Sequence, residues 1–110
     1  MLTIGQQTYL CSLDYAVSLF KGKWKAVIIC HLNDRTYRFL ELQRALPGIS
    51  EKILSEKLRE LENDRLVERL SYPEVPPRVE YRLTPVGLQL FAILNSLQHW
   101  SDSYIAGESR

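Results

Sequence analysis

Two apolar-periodic segments between Phe39 and Leu61 are separated by only a few residues, and this spacing constrains the fold more than any other feature of the chain. Phe39, Leu42, Ala45 and Leu46 recur at helical spacing. So do Leu54, Leu58 and Leu61, with Ile53 as an alternative to Leu54 on the inner face. Pro47-Gly48 stops the first segment and turns the chain. Ser50 then offers a capping hydroxyl, and Glu51 stands at the first helical position, where the positive end of the helix dipole favours a carboxylate. Two helices joined by Pro47-Gly48-Ile49 have the connection length of a helix-turn-helix.

The flanking segments complete a small domain around this pair. Residues Met1 to Leu10 show no clear period and are read as an arm. Leu13, Ala16, Val17 and Phe20 predict a helix capped by Ser12, with Asp14 in its first turn and Gly22 breaking it. Trp24 opens a second helix through Ala26, Val27, Ile28, Ile29 and Cys30. That run is apolar on nearly all sides, so it is expected to be the most buried element, ending at Asn33-Asp34. Its β-branched residues would also suit a strand; the helical patterns on both sides favour a helix. Thr36 to Arg38 are too few for more than a stub strand. Leu66–Leu70 and Val79–Leu83 read as two strands, the second alternating apolar and charged residues. Pro73, Pro76 and Pro77 make the loop between them stiff and interrupt any ladder. Thr84-Pro85 then starts a helix expected to reach about Tyr104.

The predicted fold is mainly α with a small β-hairpin: a winged helix-turn-helix with additional N- and C-terminal helices for dimerisation. Residues 1–10 form the arm, 11–105 the DNA-binding and dimerisation domain, and 106–110 a C-terminal tail. At 110 residues the chain supports one modest core and gains from burial against a partner. A formal net charge of +1 neither requires nor excludes nucleic acid, so charge has to be read locally. Cys11 and Cys30 cannot build a disulfide framework, no signal peptide opens the chain, and no apolar stretch approaches a membrane span. A cytoplasmic location is expected. His31 and His99 lie in different helices without a nucleophile or metal-ligand motif, and no Gly-rich phosphate loop occurs. An enzyme, a metal and a cofactor are therefore not expected.

With the leucines inward, the helix from Ser50 presents Lys52, Ser55, Glu56 and Arg59 outward. Lysine and arginine can donate to guanine edges or phosphates, serine to either, and a carboxylate can accept from cytosine. Arg78 ends the proline loop, with Arg69 and Arg82 on the flanking strands; Lys23 and Lys25 could add phosphate contacts. Leu90, Ile93, Leu97, Trp100 and Tyr104 recur at three and four as a dimer seam, and Ile4, Tyr9 and Leu10 of the arm need an apolar surface. Leu88, Phe91 and Leu94 are left for the domain's own core. The reading is a homodimer on double-stranded DNA. The alternative is a winged-helix protein-interaction module without DNA binding, since fold does not fix function.

The chain resembles the HxlR-type, MarR-like winged-helix transcriptional regulators of bacteria. The resemblance runs through Gly22-Lys23-Trp24-Lys25, Arg38-Phe39-Leu40-Glu41-Leu42, Leu46-Pro47-Gly48-Ile49-Ser50 and Leu58-Arg59-Glu60-Leu61-Glu62. It continues through Leu66-Val67-Glu68-Arg69, the proline-rich stretch from Tyr72 to Tyr81, and Leu83-Thr84, covering roughly Cys11 to Trp100. The resemblance implies a cytoplasmic DNA-binding homodimer that represses or activates transcription. It implies that the helix from Ser50 reads DNA, the hairpin is the wing and the terminal helices form the dimer. It also implies a candidate oxidant or electrophile sensor at Cys11, answering to a redox or small-molecule effector. The family's cysteine-proline pair is Cys11-Ser12 here, a departure that changes the local backbone. Cys30, inside the apolar helix, is read as core.

Overall fold

A computed structural model describes residues 1–108. Ten elements follow in order. They are β1 (Leu2–Ile4), β2 (Gln7–Tyr9), α1 (Ser12–Ser18), α2 (Lys25–His31), β3 (Tyr37–Arg38), α3 (Phe39–Ala45), α4 (Glu51–Asn63), β4 (Val67–Tyr72), β5 (Arg78–Leu83) and α5 (Pro85–Glu108). The predicted winged helix-turn-helix with flanking helices is the fold observed. The core is one cluster, in which Ile28 and Ile29 of α2, Leu42 of α3, and Leu54, Leu58 and Leu61 of α4 are sealed from solvent.

Several local features differ from expectation. The arm is a hairpin: β1 and β2 pair antiparallel, and Gly5 turns between them at φ +62°, a conformation open to glycine. Cys11, not Ser12, occupies the N-cap of α1, and its side chain makes no capping bond. The carboxylate of Asp14 instead accepts from the Leu10 N–H at 2.9 Å. Phe20 lies beyond the end of that helix. Within α2 only one side is sealed; Val27 is exposed and faces a groove toward α5. The stub β3 has a structural role, pairing with β5 through Tyr37↔Tyr81 and Arg38↔Glu80 to give a three-stranded sheet of order β3-β5-β4. Helix α5 runs past Tyr104 to Glu108, so the part of the expected tail over 106–108 is helical; residues 109 and 110 lie outside those described.

One corner joins α4 to the rest. Helix α4 ends with the Arg65 N–H donating to Glu62 O (2.9 Å) and the Leu66 N–H to Leu61 O (3.0 Å), the bonding pattern of a Schellman stop. Arg65 sits at φ +61°, where glycine is usual. The Thr84 hydroxyl donates to Arg65 O (2.7 Å) and accepts from the Gly87 N–H (3.0 Å), which caps α5 as expected. The Thr84 N–H donates to Leu66 O (3.1 Å). Gly87 is buried against this corner, and a Cβ there would collide with the Leu66 carbonyl oxygen, with the carbonyl carbon at 3.1 Å. In an open helix, Gly→Ala gains about 1 kcal/mol. Here the sign reverses. Gly87→Ala should destabilise the domain by about 1–3 kcal/mol, read as a fall in Tm of at least about 4 °C. An unchanged or higher Tm would show that the corner yields freely.

Candidate nucleic-acid interface

The turn between α3 and α4 forms as its residues dictate. Gly48 takes φ +90°, Ile49 turns into the core, and the Ile49 N–H donates to Leu46 O at 3.2 Å. Ser50 Oγ accepts from the Ile53 N–H at 3.1 Å and caps α4. At the head of α3 the Arg38 N–H donates to Glu41 Oε1 at 2.8 Å. That bond, followed by the nearby Arg35, holds the Glu41 carboxyl below its ordinary range. With Leu54, Leu58 and Leu61 buried, Lys52 and Arg59 stand exposed on the outer side of α4, and Ser55 and Glu56 are half-exposed beside them. Lys52 and Ser55 also line, with Phe39, Glu51 and Tyr81, an open depression of ≈ 600 Å³ where the head of α4 meets the sheet. The predicted reading residues therefore share one solvent-facing surface next to the wing.

The basic residues around it are tethered. Arg82 Nε donates to Glu68 Oε2 at 2.9 Å across the β4–β5 ladder, where the two are register partners. Arg78 does not extend from the proline loop; its guanidinium lies 4.0 Å over the Tyr72 ring and pairs with Glu74 at 3.3 Å. Arg69 is exposed and donates to Ser71 Oγ at 3.0 Å. Lys23 is exposed, with its ammonium 4.9 Å over Trp24.

Lys25, expected as a phosphate contact, is turned inward instead. Its Nζ lies 3.2 Å from Glu60 Oε2, and its side chain is 12% exposed. Lys57 reaches the same oxygen at 3.4 Å. Burial acts to raise the Glu60 carboxyl, but Lys25 and then Lys57 outweigh it and hold it below the ordinary value. The sequence reading missed Glu60 and Lys57 as partners. The i,i+3 spacing of Lys57 and Glu60 was a usable signal; the reach to Lys25 was not visible.

A second surface is apolar. Along α5, Leu94 is buried and Leu90 and Phe91 are half-buried against the core. Leu90 was expected in the seam and Leu88 in the core, but Leu88 is exposed. Ile93, Leu97, Trp100 and Tyr104 remain open, with Trp100 63% exposed and stacked on Tyr104 at 5.2 Å. Ile4, Leu10, Leu13 and Val17 are exposed at the other end of the chain, while Tyr9 is half-buried, edge-on to Tyr15 at 5.1 Å. Between α2 and α5 lies a groove of ≈ 510 Å³, lined by Ala26, Val27, Cys30, His31, Leu94, Leu97, Gln98 and Ser101. Cys30, read as core, borders this groove. Among the described residues no cluster of His, Cys, Asp or Glu is arranged to hold a metal, and no helix is long and apolar enough to cross a membrane.

The HxlR-like helix-turn-helix family profile matches residues 19–109. The chain belongs to the HxlR-like family. It is thus a winged helix-turn-helix transcriptional regulator by family, in a group that binds DNA and does not catalyse reactions. A curated relative, an uncharacterized helix-turn-helix transcriptional regulator of Methanothermobacter thermautotrophicus, is 46% identical over 101 residues, covering 92% of this chain and 77% of that protein. The crystal structure of a regulator assigned to the MarR family from Enterococcus faecalis V583 superposes with a TM-score of 0.83 at 45% identity, covering 90% of each chain. The redox regulator HypR in its reduced form superposes with a TM-score of 0.84 at 37% identity, covering 91% of this chain and 100% of that one.

The two thiols of this HxlR-like chain differ in setting. Cys11 is exposed, whereas burial raises the Cys30 thiol above its ordinary value. Thiolates are the reactive form, so Cys30 should need a higher pH to react. Iodoacetamide at neutral pH should alkylate Cys11 first, with the Cys30 adduct appearing as pH rises. Intact-mass and peptide mapping over time would check this order, and a first adduct on Cys30 would overturn it.

Proposed function

We propose that this HxlR-like protein is a sequence-specific regulator that binds double-stranded DNA as a homodimer on a pseudo-palindromic operator. The observation that carries the reading is α4: capped by Ser50, locked inward by three leucines, and presenting Lys52, Ser55, Glu56 and Arg59 to solvent beside the wing. Such a helix can enter a major groove, with lysine, arginine and serine donating to base edges and phosphates. Glu56 repels phosphate and favours cytosine, which suits a reader of one register over a non-specific binder. Arg69 of the wing, with Lys23, would add backbone contacts.

The dimer reading is supported by the open apolar side chains Ile93, Leu97, Trp100 and Tyr104 and by those of the N-terminal segment. Helix α1 is short and keeps all its residues at least partly exposed, so its apolar side needs a covering surface. Twofold symmetry would set two reading helices about 34 Å apart on successive major-groove segments. Residues 11–105 then form the DNA-binding and dimerisation unit, with 1–10 as its arm. Cys11, exposed at the head of α1, is the proposed oxidant or electrophile sensor. HypR, a redox regulator described in both reduced and oxidised forms, is a relative with that kind of response.

Arg59→Ala should weaken binding to a duplex selected from a random library more than to a scrambled duplex if Arg59 reaches a base. If it reaches phosphate, both should weaken and the salt slope should fall by roughly one. Unchanged affinity on both duplexes would sink either role, and no preference by the wild type for any duplex would favour an interaction module.

Trp100→Glu should move the protein from dimer toward monomer, since a carboxylate in an apolar contact costs several kcal/mol. Light scattering at micromolar concentration reads the change. A wild-type mass of 12.8 kDa under those conditions would overturn the dimer.

A further inference from the structure

We propose that Lys25 is a positioning residue for the reading helix: through its ion pair with Glu60 it sets where α4 lies against α2, without touching DNA itself. The inference rests on the DNA-reading role proposed for α4. Lys25 is the first residue of α2, at the helix end where the dipole opposes a cation. It is also largely stripped of water, at 12% exposure. Both settings are unfavourable for an ammonium, and both are offset by one acceptor, Glu60 Oε2 at 3.2 Å. An ammonium committed in this way is not available to a phosphate.

Glu60 stands at the right place to matter. At about 100° per residue it lies on the flank of α4 next to the outward face, adjacent in sequence to Arg59 and one turn from Glu56. The buried residues that α2 and α4 bring together, Ile28 and Ile29 with Leu54, Leu58 and Leu61, are all apolar. Apolar burial holds helices together without fixing direction. A charged contact at the rim, with defined donor and acceptor, limits sliding and rotation. Lys57, on the same oxygen at 3.4 Å, fixes the carboxylate on its own helix. A slide by one residue would carry the reading side chains about 1.5 Å along the groove, which is enough to misplace a bidentate base contact.

The test compares wild type, Lys25→Met, Lys25→Arg and Glu60→Gln by fluorescence anisotropy across a salt series. The probes are a duplex selected from a random library by the wild type and a scrambled duplex of the same composition. Thermal melts report folding in parallel. Lys25→Met and Glu60→Gln should each lower affinity for the selected duplex by about tenfold, within the range that contacting pairs show. Affinity for the scrambled duplex and both salt slopes should stay unchanged, and Lys25→Arg should restore the preference. If Lys25→Met fails to fold, Glu60→Gln, at a half-exposed position, decides alone.

A salt slope reduced by about one on both duplexes for Lys25→Met would make Lys25 a phosphate contact and overturn the proposal. Equal gains on both duplexes for Glu60→Gln would make Glu60 a mere repeller of phosphate, with the same consequence. So would unchanged preference in both variants. A wild type without preference for any duplex would instead remove the DNA-reading role of α4, and this inference with it.

Discussion

The corner at Arg65 and Leu66 is the constraint on which the relative placement of the working parts depends. Helix α4 stops there, β4 leaves from it, and Thr84 returns to bond both carbonyls before α5 begins. Holding a non-glycine residue in the left-handed region costs about 1–2 kcal/mol. The arrangement survives because the Schellman bonds, the Thr84 hydroxyl and the buried Leu66 side chain all act on the same two residues. Helix α4, the β4–β5 hairpin and α5 thus share one joint. The joint is made of backbone hydrogen bonds and the short Thr84 hydroxyl.

Charge on this protein is arranged more than it is abundant. A net charge of +1 leaves little general attraction for a polyanion. Several basic side chains near the helix-turn-helix and wing have an acidic or aromatic neighbour: Arg82 with Glu68, Arg78 with Glu74 and Tyr72, Lys25 and Lys57 with Glu60. Exposed pairs of this kind add little to stability. Their effect is to hold long side chains in defined directions. Lys52 and Arg59 are exposed on the outer side of α4.

The apolar residues tell a complementary story. Helix α5 has more apolar surface than the domain covers: Leu94 is buried, Leu90 and Phe91 are half-buried, and Leu97 and Trp100 are not. The hairpin and α1 at the other end of the chain have the same imbalance. A chain of this length cannot enclose all of its own apolar side chains.

The sequence by itself determined the elements whose signals are local. Pro47-Gly48 with Ser50, Thr84-Pro85, and the alternation from Val79 to Leu83 each act over a few residues, so their turns, caps and strand faces were legible, and with them the fold and the outward side of α4. The hairpin within the arm was not legible because its two strands are three residues each, too short for a periodicity to register. What only the tertiary structure decided were the partners across the fold. Periodicity reports that a residue faces inward, but not what lies opposite. For that reason Leu88, expected in the core, is exposed while Leu90 packs against it, and β3 found β5. Lys25, taken for a surface lysine, met Glu60 because α2 and α4 cross there, and an ion pair between residues so distant in sequence forms only when packing has already brought their helices together.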